Sequence, residues 1–273
     1  MKNHFFISML AAAALLGGLT ACNGKLDKAP RADQVPENAV RITASIGNPF
    51  AATRSMPLGT EEEQGKFNVG DEIFVSTPGS QRATYRFDGT VWVPKDGKYL
   101  LWKEDMERFN AYYPAESGEN PFSYVHPTDQ SSTEKIAKAD LMSVGLDQAK
   151  TKEALHFTMR RWTTRLIVEI AGFKSEFPGD AKVENVRFHN KSNASAPQRT
   201  YIPYAKGEGK TGSTYTVLVR GDAAYNTISL EVGGKTMTAK LSEITYDSGL
   251  SYTYRLTVGK EKLETTEVTV SDW

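Results

Sequence analysis

The 273-residue sequence has a single cysteine, Cys22. No disulfide can form within the chain, so a folded body must hold itself together by core burial, which this length permits. Histidine is scarce too. His126, His156 and His189 follow one another at wide intervals, never at the i, i+4 spacing of a zinc-protease helix, and no further cysteine completes a metal set. Neither sign of charge prevails, with 33 Lys and Arg against 33 Asp and Glu. Such a balance offers no field to gather nucleic acid or an acidic membrane surface. The sequence contains no Gly-x-Ser-x-Gly elbow, no phosphate-cradling glycine loop and no run of acids at alternate positions for calcium. The expectation is a protein without catalytic residues, metal or cofactor.

Long apolar runs are missing with one exception, residues 5–19, which is shorter than the ~20 residues a spanning helix needs. Lys2 and His4 precede it, and it ends on Leu19-Thr20-Ala21-Cys22. A basic end, an apolar centre and a small-residue cleavage site are the layout of a secretory signal. Leu-Thr-Ala-Cys resembles a bacterial lipobox, which implies cleavage between Ala21 and Cys22 and a diacylglycerol on the Cys22 thiol; the alternative is a free cysteine closing an ordinary signal peptide. Residues 1–21 are therefore expected to be a signal peptide. Residues 22–39 are polar with two prolines, cannot offset their ordering entropy, and read as a flexible tether. Diacylglycerol together with an N-acyl chain would anchor it stably in outer-membrane lipid.

What is present suits sheets. The aromatic share is 10%, and Tyr, Thr and Val recur in short alternating runs. Val40, Ile42, Ala44 and Ile46 fall on one face of a period-two segment, the mark of a half-buried strand. Similar segments recur at 67–75, 85–87, 91–93, 99–102, 109–114, 141–144 and 155–159, then at 165–170, 182–188, 198–204, 214–219, 228–232, 235–238, 250–258 and 266–273. Asp88-Gly89 and Gly233-Gly234 carry hairpin-turn chemistry. Residues 115–138 read as loop, with one helical turn near 133–139. Short strands with turn chemistry between them and no long helical period predict an all-β chain of sandwich type. The weakest point, 147–152, suggests an N-terminal domain at 40–150 and a C-terminal domain at 151–273.

Trp92, Trp102, Trp162 and Trp273 fall in or beside predicted strands. Burial between sheets is one reading. A glycan-binding surface lipoprotein that stacks sugars on exposed aromatics is the rival.

Four groups of residues carry a resemblance to the fimbrillin family of Bacteroides-type bacteria. They are the lipobox and tether; Ala51-Ala52-Thr53-Arg54-Ser55 with Phe67-x-x-Gly70-Asp71-x-Ile73; Tyr85-x-Phe87-Asp88-Gly89-x-x-Trp92 with Phe109-x-Ala111-Tyr112-Tyr113-Pro114; and Ala139-Asp140-Leu141-Met142 with Leu155-His156-Phe157. The resemblance implies two tandem transthyretin-like β-sandwich domains in a lipoprotein of the outer membrane and cell surface. It implies other fimbrial subunits as partners, a host or bacterial surface receptor, and no nucleic acid. It further implies protease cleavage after Arg54, removal of the first strand, and filling of the vacated groove by a neighbour's strand. On the last strand Val268 and Val270 are the one apolar pair on their face, which leaves stalk, tip and anchor positions open.

Overall fold

A computed structural model describes residues 35–47, 65–79, 81–120, 123–190, 198–220, 225–241, 245–260 and 263–272. Among them the regular secondary structure is nearly all strand, as the alternation predicts. The first part runs β1 (Ile42–Ile46), β2 (Glu72–Ser76), β3 (Arg82–Phe87), β4 (Trp92–Pro94), β5 (Met106–Tyr113), the short helix α1 (Thr133–Ala137), β6 (Met142–Ala149) and β7 (Leu155–Arg161). Its strands form one seven-stranded sheet in the order β1-β7-β6-β5-β2-β3-β4. Ile42, Leu155 and Phe157 from one end of that sheet share a core with Ile73, Tyr85 and Trp92 from the other, so the sheet wraps around its own apolar face. The Asp88-Gly89 turn joins β3 to β4 as expected. Gly89 takes φ +105°, and the Asp88 carboxylate accepts the Thr90 and Val91 N–H groups at 2.8 Å each.

The second part runs β8 (Thr163–Phe173), β9 (Glu184–Asn190), β10 (Thr200–Tyr201), β11 (Tyr204–Lys206), β12 (Thr214–Arg220), β13 (Tyr225–Val232), β14 (Lys235–Lys240), β15 (Leu250–Val258) and β16 (Leu263–Asp272). A four-stranded sheet, β10-β9-β13-β14, faces a five-stranded one, β11-β12-β8-β15-β16. Phe188, Ile228 and Leu230 from the first meet Leu166, Val217 and Tyr254 from the second in one core, which makes this part a sandwich. The Gly233-Gly234 turn has φ +57° and +79°, the sign that a two-residue type I′ hairpin requires at both positions.

Three sequence expectations change. Residues 147–152 do not separate the two cores. β6 runs to Ala149, and β7, which starts at Leu155, lies in the same sheet. Leu155, Phe157 and Met159 point into the first core, so the boundary drawn at 150/151 falls inside the first sheet and the chain passes to the second core at Trp162. The polarity of 147–152 marks the turn between two neighbouring strands. The single strand read at 198–204 is two strands in different sheets, β10 and β11. Pro203 sits between them, where its missing N–H interrupts a ladder. Residues 99–102 make one isolated bridge, Ala39 with Leu101, rather than a strand.

Candidate strand edge and interdomain cleft

Among the described residues β1 is the outermost strand of the first sheet and pairs on one side only, in parallel with β7 from Ile42↔Leu155 to Ile46↔Met159. Just before it, the Val40 N–H donates to the Leu100 carbonyl at 2.7 Å, and the Trp102 N–H to the Asn38 carbonyl at 2.9 Å. The Tyr85 hydroxyl donates to the Val40 carbonyl at 2.9 Å and accepts the Leu100 N–H at 3.2 Å. Burial holds that phenol well above its ordinary pKa, so it stays a donor. Val40 and Ile42 are buried, and Ala44 and Ile46 pack partly on the same core. Burying Val40 and Ile42 stabilises by about 1.5–3 kcal/mol each. On the outer face, His156 of β7 reaches both Thr43 and Ser45 of β1, with Nδ1 3.0 Å from Thr43 Oγ1 and Nε2 2.8 Å from Ser45 Oγ. The first strand is thus held by two core side chains, one ladder and an imidazole spanning two hydroxyls.

The two cores meet through α1 and the residues after it. Ser132 caps the helix, its hydroxyl accepting the Lys135 N–H at 3.3 Å. Ile136 and Ala139 bury against Leu218 on the outer face of the five-stranded sheet. In that sheet Leu218, Arg165 and Ser251 are register partners across β12, β8 and β15. The Arg165 side chain is buried and donates from Nε to Ser251 Oγ at 2.6 Å. Asp140 supplies the negative charge at this junction. It accepts from Arg161 Nε at 3.1 and 3.2 Å and from the Thr163 hydroxyl at 3.0 Å. Burial pulls the Arg165 pKa down and the Arg161 charge adds to the effect, while Asp140 opposes both. Fully buried Gln130 closes the junction. Its amide accepts the Leu218 N–H at 2.7 Å and donates to the Leu218 carbonyl at 2.8 Å, as a neighbouring strand would.

Between α1 and the first sheet lies a cleft of about 360 Å³. Phe67, Ile136 and Met142 supply apolar walls and Ile46, the last residue of β1, lies beside them. Asp71 and Tyr113 are polar groups on the first sheet's side, beside Lys66, Asn68 and Arg161; the Tyr113 hydroxyl donates to Asp71 Oδ1 at 3.1 Å, and the Asn68 N–H donates to Oδ2 at 2.7 Å. Burial raises the Asp71 pKa, and the neighbouring Asp140 charge adds to the rise against the two hydrogen bonds. Three of the sequence motifs therefore converge here: Phe67 to Asp71, Tyr113, and Asp140 with Met142.

Ala21, Cys22 and Arg54 lie outside the described residues. The flanks of the Arg54 segment are described: it leaves from Gly47, next to Ile46, and returns beside Lys66, and both Ile46 and Lys66 line the cleft. Of the tryptophans, Trp92 and Trp102 are buried. Trp162 is 41% exposed and donates its indole N–H to Ser143 Oγ at 2.6 Å, while Trp273 lies outside the described residues. His156 and His189 belong to different sheets, and among the described residues no three His, Cys, Asp or Glu gather to hold a metal. Sequence reasoning missed Gln130 and Arg165. Nothing near Gln130 breaks the polar loop pattern; Arg165, standing directly before a run of apolar residues in the strongest predicted strand, was the readable signal.

These features define a class: an all-β chain of two cores, joined by a buried polar junction, whose outermost strand is held along one side. Residues 59–273 match the family described as fimbrillin-like, and the chain belongs to that family. A candidate cell adhesion protein from Bacteroides uniformis shares the fold at a TM-score of 0.58 and 15% identity, over 86% of this chain and 98% of its own. Another from Bacteroides ovatus gives 0.60 at 14% identity, over 87% and 98%. A fimbrial protein from Bacteroides ovatus gives 0.51 at 18% identity, over 82% of this chain and 49% of its own. At these identities the likeness is one of fold. No curated protein matches the chain.

Proposed function

We propose that the chain is a non-enzymatic fimbrial subunit or adhesin of the cell surface. It is held to outer-membrane lipid through Cys22 and joins other fimbrial subunits by strand exchange at the β1 edge. The observation that carries this reading is β1 itself: an outermost strand, paired on one side, whose departure uncovers a slot for two large apolar side chains. An incoming strand recovers the ladder hydrogen bonds with β7 and fills the places of Val40 and Ile42. Cleavage after Arg54 would sever β1 and the lipid from the body in one step. Membership of the fimbrillin-like family and the adhesion and fimbrial proteins that share the fold support the same reading. Two domains divided at Trp162, one per core, fit it.

Mass spectrometry of protein sheared from cells tests the processing step. Assembled material whose N-terminus is Ser55 is expected. An N-terminus at Cys22 throughout the fibres rules out removal of β1.

A further inference from the structure

The cleft between α1 and the first sheet is half open to solvent and holds one carboxylate that lacks an ion-pair partner among the described residues. Its volume of about 360 Å³ falls in the range of small-ligand pockets, roughly 300–1,000 Å³. Two carboxylates line it, and they are treated differently. Asp140 is engaged by Arg161 and Thr163. Asp71 receives hydrogen bonds from Tyr113 and from the Asn68 backbone, but among the described residues no basic side chain forms an ion pair with it. A partly buried carboxylate with acceptor capacity to spare and no counter-ion favours an incoming cation. Tyr113 reports the same field. Its pKa is raised first by burial and then by the charges of Asp71, Asp140 and Glu116. The apolar walls, Phe67, Ile136 and Met142, suit a methylene chain, and Lys66 is the one lining cation not held by Asp140.

We infer that this cleft binds an alkylammonium group, its methylenes against Phe67, Ile136 and Met142 and its charge on Asp71. The chemistry is that of a lysine side chain or of a free aliphatic diamine. Among the described residues β1 contributes Ile46 alone to the lining, so strand exchange would alter one wall and leave Asp71, Phe67, Ile136 and Met142 in place.

The test titrates the full mature chain by calorimetry with Nα-acetyl-lysine methylamide. The norleucine analogue, which has the same stem without the charge, is run beside it, and pentane-1,5-diamine serves as the free amine. Saturable binding of the lysine probe is expected, with the norleucine probe weaker by at least about tenfold, equivalent to about 1.4 kcal/mol. Asp71→Asn keeps an acceptor for the Asn68 N–H, with its amide NH2 placed to donate to the Tyr113 hydroxyl, and should lose the same factor. Binding of the diamine at equal strength assigns the site to free amines, and tighter binding of the lysine probe assigns it to peptides; either supports the inference. No saturation by either amine, or equal affinity for the lysine and norleucine probes, overturns it. The comparison of probes on the unaltered chain does not depend on how the variant folds.

Discussion

Asp140→Ala should be among the most damaging single changes in this protein, and its size can be worked from the junction. The side chains of Arg161 and Asp140 are only 6% and 13% exposed, so solvent screens the pair little. Arg165, alongside, is buried outright. With Asp140 present, one carboxylate balances Arg161 and lowers the cost of burying Arg165; without it, the two guanidinium groups lose the carboxylate that offsets their mutual repulsion. At 4 Å and an effective dielectric constant near 20, a unit pair is worth about 4 kcal/mol. Removing one partner of a buried pair costs about 3–5 kcal/mol in practice, and Thr163 also loses its acceptor. Urea unfolding followed by tryptophan fluorescence measures the loss, with Trp162 adjacent to the site as a local reporter. Arg161→Met should cost less than Asp140→Ala, because Asp140 then still serves Arg165. The double variant should recover part of the sum, since residues sharing one network do not add. A loss below about 1 kcal/mol for Asp140→Ala, the scale of an exposed pair, would refute the junction as described. So would strict additivity.

Ile42→Ala should destabilise the uncut chain by about 2–5 kcal/mol, the usual cost of emptying a buried aliphatic site, and calorimetry of the uncut chain with and without the substitution checks this. Gln130→Ala strands the N–H and C=O of Leu218 away from water, and each buried orphan costs about 1–3 kcal/mol; faster amide exchange at Leu218 is the expected signature. Asp129 accepts from Lys135 and Ser131, which lowers its pKa to about 2. Its folded-state pKa lies below the unfolded one, so its contribution is present above the ordinary aspartate pKa and disappears as the pH falls through about 2. A carboxyl carbon titration should find its midpoint well under the ordinary aspartate value.

Alternation alone placed most strands, because each buries one face: Val40 and Ile42, Leu155 and Phe157, Leu250 to Val258. Where it failed, tertiary context decided. Residues 147–149 look like linker because β6 carries polar side chains outward to its end, yet its backbone remains paired with β5. Residues 67–71 alternate but serve as the turn that delivers Asp71 to the cleft, while residues 99–102 are tied by the Gln81 amide to Leu101 instead of a full ladder. The motifs at 67–71, 109–114 and 139–142 were visible as separate fragments. Their meeting in one cleft was not, since it depends on how α1 packs across the two cores.

Strand exchange at β1 is tested most directly by tying that strand down. Thr43 and His156 are register partners in the parallel pair, neighbouring strands lie about 4.8 Å apart, and such a separation suits a disulfide. Thr43→Cys combined with His156→Cys gives a chain whose β1 can be locked by oxidation and released by reductant. Fibre growth that halts in the oxidised protein and resumes on reduction is the predicted result. Equal growth in both states would show that β1 never leaves its place, and the account of assembly would be wrong.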